Sequence, residues 1–203
     1  MVWNNPDRRV ILASQSPRRR DILRGLGFTF RTVRPSVKSE AAFLTGRPLK
    51  KGLAALALAK AASVAQREPG ALVLGADTVV VVDGEAIGKP RGRREAGAML
   101  RRLSGKTHAV HTSVALVCGG SGFSSVSVET TRVRFRKLAE WEIDAYLRLD
   151  EHADKAGAYA IQGRAMAFVD GIDGCYYNVV GLPVRKTIDL FAAYANRKGA
   201  TNV

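Results

Sequence analysis

Apolar residues first gather in RVILAS, residues 9–14, a short run that ends in small polar side chains and reads as a buried strand. Ser16 can cap the helix that follows and Pro17 suits its first turn; Ile22, Leu23 and Leu26 then recur at helical spacing until Gly25 and Gly27 end it. Thr29–Lys51 keeps neither period and reads as an irregular polar loop. A second helix, Leu53–Arg67, is alanine-rich and stops before Pro69-Gly70. It is apolar almost all round except at Lys60. Such a helix should be largely buried, and a lysine on it is costly unless its ammonium reaches water or an anion.

Ala71–Leu74 and Thr78–Val82 read as two apolar strands, the second turning through Asp83-Gly84 into Glu85–Gly88. RREAGAMLRRLSG sets Ala96, Met99, Leu100 and Leu103 on one helical face, with Gly105 closing it. Two long strands, His108–Cys118 and Phe123–Phe135, are joined through GGSG. In the second, Val126, Val128 and Thr130 share one parity while Val133 and Phe135 take the other, which predicts a bulge or bend between Thr130 and Val133. AEWEIDAYLRL reads as a helix, AFVDGIDG as a turn between strands, and PVRKTIDLFAAYA as a C-terminal helix opened by Pro183. Helices mixed with hairpins predict an α/β fold with a mixed sheet, without internal repeats or linkers.

Composition narrows the classes. An apolar fraction of 46% and a charged fraction of 25% are ordinary for a globular protein, and 203 residues suit a single domain over 1–203, in one lobe or two. No apolar run approaches the roughly 20 residues that span a membrane, and the opening MVWNNPDRRV lacks the apolar stretch of a secretion signal. A cytoplasmic protein is expected. Cys118 and Cys175, far apart and without metal-ligand spacing, are expected to be small buried thiols in strands. The net charge of +14 favours anionic partners: nucleic acid, a membrane surface or phosphorylated metabolites. The arginines are spread over Arg8–Arg9, Arg18–Arg20, Arg91–Arg94, Arg101–Arg102 and Arg132–Arg136, so much of that charge is solvated surface.

Four places carry chemistry beyond composition. Asp77 follows an apolar strand and a Gly-Ala pair, where ligand crevices of open α/β sheets lie, although a turn-capping aspartate would look the same. Lys89 sits in GKP, where glycine permits close backbone approach and proline fixes the exit. Gln162 lies between Ile161 and Gly163; a buried carboxamide there must find partners, whereas an exposed one needs no explanation. The start of the first helix, SQSPRRR, is either a solvated basic face or a cradle for an anion.

LASQSPRR, GADTVVVVDGEAIGKP, REAGAMLRRLSGKTHAVHTSVALV, DKAGAYAIQG and YYNVVGLP, in this order over about Ile11 to Ala193, together resemble the Maf family of nucleoside triphosphate pyrophosphatases. The resemblance implies a Maf (ITPase-like) α/β fold, a twisted mixed sheet flanked by helices, in two lobes with a deep cleft. It also implies hydrolysis of a nucleoside triphosphate to the monophosphate and pyrophosphate with a divalent cation, Mg²⁺, Mn²⁺ or Co²⁺. Arg18, Thr78 and Gln162 are similar to the dTTP/UTP branch rather than the 7-methyl-GTP branch. Two stretches depart from the family. An acidic pattern like DIDE is replaced by PSVKSE, which leaves Glu40 as the nearby carboxylate and no metal ligand assigned there; GRAMAFVDGIDG replaces the more usual GxGA after the glutamine.

Within that resemblance the basic helix start becomes an anion site. Free N–H groups of a helix N-terminus bind phosphate oxygens, Ser14 adds a hydroxyl, and Arg18 and Arg19 add forked donors, while Arg20 is expected on the surface. Lys60 and Lys89 are further phosphate contacts. Asp77 is either the general base that activates water or a metal ligand. Gln162 reads the imide edge shared by thymine and uracil. The competing readings are a purine or 7-methyl-GTP pyrophosphatase of the same family, and a nucleic-acid-binding regulator of septum formation and cell division. No helix-turn-helix, zinc-finger or RNA-binding aromatic signature supports the last. The family also makes a homodimer an expected assembly.

Overall fold

A computed structural model describes residues 9–200; the opening segment up to Arg8, read above for targeting signals and charge, lies outside them. Seven strands form a sheet in the order β2-β1-β3-β5-β6-β7, with β4 paired to β3 beside that path. The strands are β1 (Val10–Ala13), β2 (Phe30–Thr32), β3 (Leu72–Val82), β4 (Glu85–Ile87), β5 (Thr107–Cys118), β6 (Phe123–Phe135) and β7 (Val169–Asp173). β1 runs parallel to β2 and to β3, whereas β3–β4 and β6–β7 are antiparallel. The sheet is mixed, as the pattern predicts. The helices are α1 (Pro17–Gly25), α2 (Ala41–Leu44), α3 (Leu49–Ala65), α4 (Arg93–Leu103), α5 (Glu140–Leu147), α6 (Tyr176–Val180) and α7 (Val184–Ala200). No helix among the described residues is long and apolar enough to cross a membrane.

The chain divides into two compact units, and β3, β5 and β6 each contribute to both. The first unit holds the described chain up to Asp77, Thr112–Glu129 and the chain from Gly181 onward. Its core joins Ile11 and Ala13 of β1, Ala57, Ala61 and Val64 of α3, Val73 of β3 and Ala115 of β5, all without solvent exposure. Small residues on α3 let the helix press onto the sheet. At Gly75 of β3 an added Cβ would lie 2.5 Å from the Ala57 carbonyl oxygen and 2.8 Å from the Ala61 nitrogen, so only glycine fits.

The second unit comprises Thr78–His111 and Thr130–Val180. Ala96, Met99, Leu100 and Leu103 of α4 are buried, and α4 packs on α5 and on a 3-10 turn at Ala156–Ala158. His108, Phe135 and Tyr159 meet edge to face, and Phe168 joins Phe135 and Tyr146. Thr131 Oγ1 accepts from the Cys175 amide at 3.0 Å and from Asn178 Nδ2 at 2.9 Å, and donates to the Cys175 carbonyl at 3.0 Å. Asn178 Nδ2 also donates to the Val110 carbonyl, which fixes the short α6 to the neighbouring strands.

Several local expectations are corrected. Thr29–Lys51 is not irregular throughout: it contains β2, α2 and the first residues of α3, which starts a turn before the expected Leu53. The two strands expected at Ala71–Leu74 and Thr78–Val82 are one, because Gly75, Ala76 and Asp77 continue the extended backbone. AFVDGIDG is not a turn between strands but the end of a 3-10 segment, Arg164–Phe168, followed by β7. Against β7 the register of β6 shifts between Arg134 and Phe135, a separate irregularity that does not test the bend expected between Thr130 and Val133. Cys118 is buried in β5, whereas Cys175 is half-buried in the loop before α6.

Candidate active site

β1 ends at Ala13, and the chain turns through Ser14–Ser16 into α1. Ser16 occupies the N-cap position but its side chain makes no capping hydrogen bond; its amide donates instead to Ser14 Oγ at 3.2 Å. The expected hydroxyl cap is replaced by a serine turn facing back on itself. Ser14 is buried, and its Oγ also accepts from Arg19 Nη1 at 3.3 Å. Within the first turn of α1, the Arg19 guanidinium donates from Nη1 to the Ala76 carbonyl at 2.9 Å and from Nε to the Gly181 carbonyl at 2.8 Å. Burial lowers the pKa of Arg19 from its ordinary value; Asp77 opposes that shift, Arg18 reinforces it and Glu40 opposes it. The four charges therefore feel one another.

α3 supplies the next cation. Lys60 is buried on a helix whose other inward residues are glycine, alanine, leucine and valine, as the apolar pattern predicts. Its cost is offset by two carboxylates: Nζ donates to Asp77 Oδ1 at 2.5 Å and pairs with Glu40 Oε1 at 2.7 Å. Asp77 stands on β3, half-buried, beside the point where Gly75 lets α3 approach. Asp77 Oδ2 carries no hydrogen bond among the described residues. The lysine thus reaches anions of the protein itself, a pairing that neither the helical pattern nor the motifs reveal.

Ser14, Arg19, Lys60 and Asp77 come together in the first unit, with Arg18, half-buried, acting electrostatically on Arg19. A groove of about 230 Å³ opens at Ser14, lined also by Ser16, Arg20, Thr32 and Arg34; Arg18, Arg19, Lys60 and Asp77 do not line it. Arg20 is exposed, as expected, yet it faces this groove rather than bare surface. Thr78, Lys89 and Gln162 belong to the second unit. Thr78 is half-buried on β3; Lys89 is exposed just beyond β4, and Gln162 is exposed between Ile161 and Gly163.

Two carboxylates were not singled out by motif. Glu40 is brought to Lys60 although PSVKSE departs from the acidic family pattern, because the N-terminal end of α2 lies over α3. Glu151 Oε2 accepts from the Arg164 amide at 2.9 Å, two residues beyond Gln162 in sequence. Nothing local in the sequence announces either contact.

Among the described residues no cluster of three or more His, Cys, Asp or Glu side chains is arranged to hold a metal ion. Asp77 and Glu40 nevertheless present hard oxygen donors to one point already occupied by the Lys60 ammonium. That donor set fits a hard dication that takes only one or two protein carboxylates and completes its shell with substrate oxygens and water.

Known proteins resemble this chain over most of its length. The chain is 50% identical over 185 residues to a dTTP/UTP pyrophosphatase of Symbiobacterium thermophilum, covering 91% of this chain and 93% of that protein. It is 47% identical over 186 residues to a dTTP/UTP pyrophosphatase of Pelotomaculum thermopropionicum, covering 91% and 96%. A dTTP/UTP pyrophosphatase of Pyrococcus abyssi is 46% identical over 181 residues, covering 89% and 94%. The family model described as Maf-like protein matches residues 9–194, and with that span and those identities the chain belongs to the Maf family.

Proposed function

We propose that the protein hydrolyses dTTP and UTP to the nucleoside monophosphate and pyrophosphate. The observation that carries this reading is the Lys60 ammonium held between Asp77 and Glu40, beside a serine turn and a basic helix start. The names of the relatives support the pyrimidine substrates.

The N-terminal amides of α1, the Ser14 hydroxyl and Arg18 bind phosphate oxygens. Arg19, whose donors already hold the Ala76 and Gly181 carbonyls, keeps that cradle in shape and adds positive charge. An arriving triphosphate competes with Asp77 and Glu40 for Lys60. As the ammonium moves toward phosphate, Asp77 is released to act as base. Water attacks the α-phosphorus, Asp77 takes its proton, and the bond from the α-phosphorus to the bridging oxygen breaks, so pyrophosphate leaves with that electron pair. Glu40, joined by Asp77 in the alternative in which Asp77 is a metal ligand and not the base, would hold a divalent cation, which there would neutralise charge on the transferred and leaving phosphates. Lys89 is a further phosphate contact, and Thr78 and Gln162 select the base, Gln162 through the imide edge of thymine or uracil.

The experiment is a turnover panel of dTTP, UTP, CTP, GTP and 7-methyl-GTP, with and without Mg²⁺, Mn²⁺ or Co²⁺. Release of pyrophosphate from dTTP and UTP ahead of the others, dependent on one of these cations, is the expected result. A purine nucleotide turned over fastest ends the pyrimidine assignment. Absence of turnover, with salt-sensitive retardation of DNA, hands the protein to the regulator reading. The same reading carries a cytoplasmic location and a homodimer, the latter tested by light scattering of the eluting protein.

A further inference from the structure

Gln162 stands in a turn whose backbone is closely tied. The Gly163 amide donates to the Ala160 carbonyl at 2.9 Å, and the Met166 amide donates to the Gly163 carbonyl at 3.0 Å as the Arg164–Phe168 segment begins. Between these bonds lies the Arg164 amide, and its acceptor is a side chain: Glu151 Oε2 at 2.9 Å. The carboxylate is packed against the turn. A Cβ added at Gly163 would lie 2.9 Å from Glu151 Cδ and nearer still to Oε2. Gly163 itself has φ −97° and ψ −159°, an extended conformation open to any residue. The backbone angles of Gly163 suit any residue, but a side chain there would push the Glu151 carboxylate out of its present position.

We propose that Glu151 is the positioning residue of the base-reading turn, its carboxylate fixing the Gly163–Arg164 backbone and with it the direction in which Gln162 presents its carboxamide. This inference rests on the pyrimidine reading of Gln162 given above. The Gln162 side chain is exposed, so no packing of its own orients it and its direction depends on the backbone that carries it. A carboxylate suits the task because an ionised acceptor binds a backbone amide more strongly than a neutral one. Glu151 makes no ion pair among the described residues, which leaves its charge directed at that amide.

The test is a cycle of variants read by nucleobase selectivity, the ratio of kcat/KM for dTTP to that for CTP. Glu151→Ala should lower the ratio about tenfold, with most of the loss in KM for dTTP and kcat within about twofold, as expected when one orienting hydrogen bond is lost. Glu151→Gln keeps a carbonyl acceptor and should restore most of the ratio. Gly163→Ala should act like Glu151→Ala by displacing the carboxylate, and in the Glu151→Ala background it should add nothing, since the obstructing group is gone. Amide exchange at Arg164 supplies a readout independent of turnover: faster in Glu151→Ala and Gly163→Ala, unchanged in Glu151→Gln. A selectivity ratio that stays at the wild-type value while Arg164 exchange accelerates overturns the inference, as does an additive effect of the two alanine substitutions. Wild-type protein that shows no preference for dTTP over CTP overturns the imide-edge reading of Gln162 itself, a result seen before any variant is made.

Discussion

Lys60 and Asp77 are joined by a hydrogen bond of 2.5 Å between ammonium and carboxylate, one on an apolar helix and the other on the strand it covers. Glu40 shares the same ammonium. In the mechanism proposed above, this cluster holds Asp77 in check until an anion of higher charge draws Lys60 away. Asp77→Asn keeps the shape and loses the proton acceptor. Turnover of dTTP should fall by about 10³-fold or more while nucleotide binding, followed by calorimetry, stays within about tenfold. Near-normal turnover in that variant removes Asp77 from the chemistry.

Gly75 sets the distance that makes this pair. A methyl group there would meet the Ala57 carbonyl and the Ala61 amide nitrogen of α3. Backbone atoms cannot yield as a flexible side chain would, so the helix must shift outward and carry Lys60 with it. Gly75→Ala should cost about 1–3 kcal/mol by urea denaturation and lower kcat, although the substituted atom touches no substrate. Full activity with wild-type stability would mean that the helix and strand do not need this approach.

The fold was legible where one period ran long. α4 and α7 follow their apolar faces, the Asp83-Gly84 hairpin is announced by its turn residues, and β5 and β6 are long enough to admit no other reading. The readings that failed were short or depended on partners. β2 has three residues and owes its existence to pairing with β1. β3 looked broken because Gly75 and Asp77 interrupt its apolar run, yet those two residues serve the helix contact and the Lys60 pair. Asp77, Lys60, Ser14 and Arg19, singled out from motif and pattern, are brought together in the first unit. The Glu40 contact was not singled out, because it arises from folding α2 over α3, between residues twenty positions apart, with no periodic trace in the sequence.

Arg19 and Arg18 are neighbours with different work. Arg19 donates to two backbone carbonyls and to Ser14, tying α1 to β3 and to the loop before α7. Arg19→Ala leaves the Ala76 and Gly181 carbonyls without these partners and should destabilise the protein by about 2 kcal/mol or more. Arg19→Lys restores the charge but not the fork and should recover only part of that loss. Arg18→Ala should instead raise KM for dTTP with a change in stability below about 1 kcal/mol. The comparison is a denaturation curve and a Michaelis curve for each variant; similar stability losses for Arg18→Ala and Arg19→Ala would refute the division.

His108 makes the fold sensitive to mild acid. Its Nε2 lies 2.7 Å from the Tyr159 hydroxyl, while Nδ1 is buried without a hydrogen-bond partner among the described residues. Burial pushes the imidazole pKa down from 6.5 to about 4, and burial raises that of Tyr159, which therefore stays protonated. Between about pH 4 and pH 6.5 the unfolded chain holds more protons at His108 than the folded one. Stability is therefore full above pH 6.5 and falls as pH drops through that window, by about 3 kcal/mol at most from this group. Glu142, held down to about 2 by the Arg136 side chain and the Ala139 amide, loses its contribution as pH falls below 4.5, mostly beneath that window. His108→Leu should be less stable than wild type at pH 7.5, because the Tyr159 hydroxyl loses its partner, and the gap should narrow toward pH 4.5. Urea denaturation at both pH values reads the difference directly, and a gap that does not change with pH would show that His108 takes up no proton on unfolding.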